Sequence, residues 1–284
     1  MVKKRINVMI KEKEIKKLEE KCLKFRRDVI DVLHEKKTGH PGGSLSVCEI
    51  LTTLLFHQMK NLNPANPLHP DRDRLILSKG HAAPMLYRGL AELGYFPVEE
   101  MHTLRDFGSR LQGHPCMLDT PGVDMTSGPL GIGLSASIGI ALAFRLDGRK
   151  GHVYTVLGDG ELNEGTIWEA AMSAAKFKID NMTAIVDWNR VQLDGTTDDI
   201  MPMGNIADKF KAFGWNVLEC DGHCVKNLCD CYDKALAIKG VPTVILAHTI
   251  KGKGVSVMEG KSAWHGKPID EDTFALAMEE LGGR

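Results

Sequence analysis

The second half of this chain repeats one pattern, a short apolar strand followed by a helix-length segment. VYTVL is followed by a helical stretch over 166–178, then MTAIVDW and a helix over 206–213. WNVLEC, a helix over 225–239, PTVILAHT and a last helix over 271–281 complete the run. Strands this far apart cannot join through a tight turn. Each needs a crossover, which makes the sheet parallel and buries both its faces under helices. The expected fold is α/β, a doubly wound parallel sheet with helices on both faces. Upstream, Ile15, Leu18, Cys22, Phe25, Val29, Val32 and Leu33 keep a helical period over 10–37. GHPGGS is expected to break that helix, which resumes over 45–59. RLILS reads as a strand, 81–94 as a helix ending at glycine, and 133–146 as a helix of small residues. Residues 97–130 read as loop, apart from a short helical stretch near 98–106. No repeat or linker divides the chain, so 1–284 is expected to be one domain.

Charge excludes some function classes. A formal net charge of −1 and a pI near 6.8 give no bulk field for nucleic acid or an anionic membrane. No apolar run approaches the roughly 18 residues of a membrane span, and MVKKRINVMIKEKE lacks a signal peptide's apolar core. A cytoplasmic protein is expected. The cysteine count, 7, is odd, and Cys220, Cys224, Cys229 and Cys231, with His223, lack the spacing of a usual zinc site. Reduced, partly buried thiols are expected.

VLGDGELNEG crowds Asp159, Glu161 and Glu164 against the end of a buried strand, where like charges are costly. GDG alone can be a tight turn with Asp159 capping a helix. The next strand, however, ends in DWNR, placing Asn189 thirty positions after Asp159. An Asp oxygen, an Asn carbonyl and a backbone carbonyl are hard ligands of the kind Mg²⁺ or Ca²⁺ takes, with phosphate and water completing the shell. Gly158 and Gly160 leave room for a diphosphate against backbone N–H groups. His40, His81, His114 and His265 each sit among Gly or Pro in irregular segments, which present side chains to ligands. Neutral imidazole donates one hydrogen bond and accepts another, which suits a sugar's hydroxyl and carbonyl groups. The other histidines read as structural or surface positions.

GDGELNEG…DNMTAIVDWNRVQLDG resembles the thiamine diphosphate motif. KTGHPGGSLS, DRDRLILSKGHAAPMLY, GSRLQGHPC, TSGPLGIGLSASIGIALA and SAWHGKP together resemble the transketolases, in family order, over residues 38–268. The resemblance implies thiamine diphosphate as cofactor, with Mg²⁺ or Ca²⁺ held by Asp159, Asn189 and the Val191 carbonyl. That ion would be the positive partner of the carboxylate crowd. It implies that Glu164 is the family's interface glutamate near the aminopyrimidine, joined by Glu169 in an acidic link between active sites. Glu161 receives no role from it and reads as solvated or capping. It implies that His40 and His265 contact the donor's reacting region, that His81 lies by the diphosphate and that His114 binds the donor's first hydroxyls. His265 would also approach the substrate phosphate. Gly128, through its backbone, and Leu130, through its side chain, would line the cofactor. KGKG (251–254) does not match a nucleotide-binding loop; in the family such a stretch leads to the active-site histidine.

In that family the pyrimidine pocket, its glutamate and most phosphate-binding arginines lie in a second domain. The chain therefore resembles the N-terminal subunit of a split transketolase, inactive without a C-terminal partner chain. The activity implied is transfer of a two-carbon ketol unit from a ketose phosphate such as xylulose 5-phosphate to an aldose phosphate, in pentose phosphate metabolism. The same chemistry on apulose 4-phosphate, a sulfosugar or a dihydroxyacetone-forming route is the near alternative. A 2-oxo acid dehydrogenase alpha subunit shares GDG but gives no reason for GHPGG, SKGHA and SAWHG together. A regulatory subunit that kept the fold would not need the metal pair and four placed histidines.

Two expectations concern assembly. Segments 187–200 and 250–268 read as poor in apolar residues, hence mobile until ligand and partner fix them. The Ala-, Ser- and Gly-rich helices over 133–146 and 166–178 read as subunit interfaces of an α2β2 heterotetramer, with Ala171 and Ala174 on the contact face.

Overall fold

The computed structural model describes residues 10–282; the reading of residues 1–9 as part of a segment without a leader's apolar core lies outside them. The helices, in chain order, are α1 (Glu12–Lys36), α2 (Pro41–Ser46), α3 (Cys48–Thr53), α4 (Ala83–Glu92), α5 (Ile132–Leu146), α6 (Gly165–Lys176), α7 (Thr197–Ile200), α8 (Ile206–Ala212), α9 (Val225–Ala237) and α10 (Glu271–Glu280). The strands are β1 (Arg74–Leu77), β2 (Val153–Gly158), β3 (Met182–Trp188), β4 (Asn216–Asp221) and β5 (Thr243–His248). They form one parallel sheet in the order β1-β2-β3-β5-β4. The chain steps outward through β1, β2 and β3, overshoots to β4 and returns to insert β5. Right-handed crossovers put the helix of a returning step on the opposite face. So Leu134, Ile138, Ile167 and Phe210 pack with Val153, Leu157, Ala184 and Val186 on one face. Phe25, Val29, Ile50, Tyr87 and Tyr232 pack with Tyr154, Val156, Ile185 and Ile245 on the other. The α/β expectation holds, with both faces covered. No helix among the described residues is long and apolar enough to cross a membrane.

Several expectations need correction. GHPGGS is not the break. The break is at Lys37, in the left-handed region at φ 50°, and Pro41 starts α2 at a position where its missing N–H costs nothing. Gly42 and Gly43 lie inside that helix because the site packs onto them. A Cβ on Gly42 would sit 2.8 Å from the Trp264 carbonyl, and one on Gly43 3.1 Å from the His81 ring. Residues 45–59 are not one helix but the end of α2, then α3 and a wider turn over Leu54–Gln58. The structure adds α7, capped by the Thr196 hydroxyl, and the turn Ser262–His265, neither of which has a periodic signal in the sequence.

The segment 250–268 is not poor in buried apolar residues: Val255, Met258 and Trp264 are core residues. Ala171 and Ala174 face this chain's own sheet and are fully buried, because their spacing on α6 coincides with the apolar stripe of Ile167 and Ala170. The solvent side of α6 carries Glu169 and Met172 instead. On α5 that side carries Ile132, Ser135, Gly139 and Ala143.

Candidate functional site

Beyond the carboxyl ends of β1, β2, β3 and β5 lies a cleft of about 270 Å³. Ligands of open parallel sheets bind at this edge, where the chain leaves each strand in a loop. SKGH follows β1, GDG ends β2, NRVQL follows β3 and HTIKGKG follows β5. The cleft brings together His40, His81, His114, Gly128, Leu130, Gly158, Asp159, Gly160, Asn189, Val191 and His265. Of the residues singled out from the sequence, Glu164 is not among them. It lies exposed at the start of α6, against Gly131.

The four histidines form one cluster. Ring centroids of His40 lie 5.3 Å from His81, 5.3 Å from His265 and 6.0 Å from His114, and His81 lies 4.9 Å from His265. Burial pushes His40 down to about 4, with the Arg105 guanidinium adding to the effect. Burial and the Lys251 ammonium push His265 down to about 3. Burial and Lys79 hold His81 well below its usual range, and burial and Arg105 lower His114. All four rings are therefore neutral at pH 7, each able to donate once and accept once. His40 Nδ1 is buried with no hydrogen-bond partner among the described residues. Such an atom, lining a cleft, fits a polar ligand.

Asp159 is buried, accepting from the backbone N–H groups of Gly160, at 2.8 Å, and Arg190. Burial and the neighbouring Asp187 carboxylate push it up to about 6, against the pull of those N–H groups. The Asn189 side-chain oxygen accepts from the Val191 N–H at 3.1 Å, which fixes its orientation. The Val191 carbonyl accepts from Lys251 Nζ at 3.1 Å. Asp159, Asn189 and the Val191 carbonyl thus supply hard oxygen donors, and a carboxylate held in a place that disfavours its charge is stabilised by a cation. The donor set fits a divalent ion. Gly160 fits a close-packed cradle, since a Cβ there would meet the Gln192 side chain at 2.9 Å.

Glu161 is not solvated. It is buried, accepting from Gly131 N–H at 2.8 Å, Gly158 N–H at 3.0 Å and the Ser78 hydroxyl. It pins the start of α5 to the end of β2. A three-residue step through a tight turn carries it back under the strand end, which a count of charges cannot reveal. Lys79, Lys251 and Asp187 also belong to the site, though the motifs that contain them give them no role. Lys79 pairs with Asp187, and Lys251 donates to the Val191 and Gln192 carbonyls and contacts His265 Nδ1 at 3.0 Å. Burial and Lys79 push Lys251 down to about 8. A signal for them exists: a lysine just after each of two buried strands, and an aspartate inside an apolar run. His223 turns from the cysteines toward Glu49, at 2.8 Å.

Comparison with known proteins identifies the family. Residues 19–284 match the family described as transketolase, thiamine diphosphate binding domain. A 6-deoxy-6-sulfo-D-fructose transketolase subunit, SqwG, of Clostridium sp. (strain MSTE9) is 45% identical over 257 residues, covering 90% of this chain and 93% of that subunit. One of the apulose-4-phosphate transketolase subunits, from Actinobacillus succinogenes, is 42% identical, covering 93% of this chain and 95% of its own. The crystal structure of Campylobacter jejuni transketolase superposes with a TM-score of 0.86 at 32% identity, over 94% of this chain. The match covers only 43% of that structure's chain. The chain thus spans nearly the whole of the two subunits and under half of a longer transketolase. With its fold, the family match over residues 19–284 and these relatives in agreement, the chain belongs to the transketolase family and carries its thiamine diphosphate binding domain.

Proposed function

We propose that residues 1–284 form, as one domain, the diphosphate-binding subunit of a two-chain transketolase. In this reading Asp159, Asn189 and the Val191 carbonyl would hold Mg²⁺ or Ca²⁺, and Gly158, Gly160, Gly128 and Leu130 would line the thiamine diphosphate. When bound, the cofactor would supply the carbon nucleophile that ketol transfer requires. This chain's residues do the rest. His81 steadies the diphosphate. Neutral His40, His114 and His265 hydrogen-bond the donor's carbonyl and hydroxyls and move protons between them. Glu164, exposed on this chain, meets the cofactor's pyrimidine side once a further subunit covers it.

One observation carries the proposal: four histidines, His40 in ring contact with each of the other three, share a cleft with three hard oxygen ligands. The likeness to relatives that are themselves named subunits supports the split. The match spans 95% of the Actinobacillus subunit but 43% of the Campylobacter transketolase. A C-terminal partner chain is therefore part of the reading, in an α2β2 heterotetramer built on the exposed faces of α5 and α6. A cytoplasmic location belongs to it as well, since free thiols suit a reducing compartment.

The relatives of matching length are named for a sulfosugar and for apulose 4-phosphate. They favour, as a second reading, one of these donors over xylulose 5-phosphate. The test is a ketol-transfer assay on the chain, on its partner and on the mixture, with thiamine diphosphate and Mg²⁺. D-xylulose 5-phosphate, apulose 4-phosphate and 6-deoxy-6-sulfo-D-fructose are compared as donors. Transfer by the mixture alone is expected; transfer by neither chain nor mixture with any donor would overturn the proposal.

A further inference from the structure

An anteroom of about 340 Å³ adjoins the cleft and shares His114 with it. Its polar lining is mostly engaged. Ser109 is bound to Thr103 at 2.7 Å, Gln112 to Asp119 at 2.7 Å, and Asp106 is paired with Lys36 at 2.7 Å. Arg110, nearby, is paired with Glu100 at 3.0 Å. Arg105 differs. It is exposed and, among the described residues, has no ion-pair partner; one guanidinium N–H reaches the Thr38 hydroxyl at 3.1 Å. Its φ of 63° lies in the left-handed region, a strained setting for a side chain with a Cβ. The backbone is held there by a bond from Arg105 N–H to the Leu111 carbonyl at 2.9 Å. The guanidinium lies against Gly113, where a Cβ would come within 2.7 Å of its central carbon. Gly113 precedes His114, and Thr38 lies two residues before His40. The guanidinium therefore stands beside both histidine loops with most of its donors free.

We infer that Arg105 is a substrate-specificity residue, binding the anionic tail, phosphate or sulfonate, of the sugar whose reacting end lies among the histidines. The inference rests on the proposed function and adds a subsite to it. The geometry fits the chemistry. A sugar chain running outward from His40 and His114 passes the junction of cleft and anteroom, where the unpaired guanidinium stands. Its planar fork of donors matches the oxygens of a phosphate or sulfonate. The lysines of the cleft, Lys79 and Lys251, are buried and already bonded, so they offer no comparable group at the mouth.

The test uses the assembled two-chain enzyme, with D-xylulose 5-phosphate, 6-deoxy-6-sulfo-D-fructose and neutral L-erythrulose as donors. Arg105→Gln should lower kcat/KM for the preferred anionic donor, relative to L-erythrulose, by roughly 10- to 100-fold, the loss of charge-assisted hydrogen bonds. Arg105→Lys keeps the charge without the fork and should fall between. The wild-type preference between the two anionic donors tells phosphate from sulfonate. Equal losses on anionic and neutral donors would make Arg105 a brace between two loops and overturn the inference, leaving ketol transfer intact. Absence of transfer from any donor would instead overturn the proposed function. Calorimetric binding of the same anionic sugars decides independently of turnover. Affinity unchanged by Arg105→Gln, or no binding to the wild-type complex, would overturn the inference; a 10- to 100-fold loss would support it.

Discussion

Lys79 and Asp187 form an ion pair with both side chains buried, tying the segment after β1 to the end of β3 directly beneath the cleft. The Ser46 hydroxyl, at 2.6 Å, and the Thr249 hydroxyl also donate to this carboxylate. Three other segments of chain thus converge on one buried aspartate. Burial alone would raise Asp187, but Lys79 and the hydroxyls outweigh it and hold the carboxylate below its usual range.

Removing one member of such a pair strands a charge in a low-dielectric interior. Asp187→Asn is expected to cost about 3–5 kcal/mol, read from denaturant unfolding. Lys79→Met combined with Asp187→Asn should recover a large part of that loss, because no isolated charge is left. A single-variant cost under about 1 kcal/mol would show that water screens the pair.

Glu49, on the face of the sheet covered by α1 and α3, should dominate acid sensitivity. Burial opposes its charge, but Arg26, at 2.5 and 2.7 Å, and His223 hold it down to about 2. Its folded value lies below its unfolded one. The stabilisation is therefore complete above about pH 4.5 and is lost as pH falls toward 2. The shift corresponds to about 3 kcal/mol. Glu49→Gln should flatten the stability–pH curve between those limits; an unchanged acid limb in chemical denaturation would contradict this.

Glu161→Ala leaves the N–H groups of Gly131 and Gly158 buried without an acceptor. About 1–3 kcal/mol for each is expected, seen as a lower Tm. Glu161→Gln, which keeps an acceptor oxygen, should lose less. A variant as stable as the parent would show that water replaces the carboxylate.

The exposed side of α5 and α6 supplies a probe of assembly. A side chain at Gly139 meets nothing within 4 Å in this chain, and Met172 is 52% exposed. Gly139→Arg and Met172→Arg should preserve the fold and lower the mass found by light scattering. Ala171 and Ala174 are unsuitable, because an arginine there would enter the core. An unchanged mass with native circular dichroism would place the interface elsewhere.

Period and punctuation make the sheet and most helices legible, because strand and helix write different repeats into apolar residues. β3 falls where MTAIVDW places it. The same signals mislead at Gly42 and Gly43, whose place in a helix is dictated by His81 and Trp264, residues distant in sequence. The site's histidines are legible because they stand among Gly or Pro in irregular segments, and Asp159 and Asn189 because they stand at strand ends. Glu161, Lys79 and Lys251 are less so: a lysine after a buried strand is visible, but what each does depends on partners distant in sequence, Gly131 for Glu161, Asp187 for Lys79 and Val191 for Lys251. The stripe of alanines on α6 gives the right helix and the wrong face, since small residues serve core and interface alike.

The most direct test is calorimetric titration of the assembled complex with thiamine diphosphate, with and without Mg²⁺, for the parent chain and for Asp159→Ala. Binding by the parent that depends on Mg²⁺, and loss of that dependence with at least about a 100-fold weaker affinity in the variant, at a preserved Tm, is the predicted result. Equal, metal-independent affinity in the two proteins would contradict the assignment of Asp159, Asn189 and Val191, and with it the reading of the cleft.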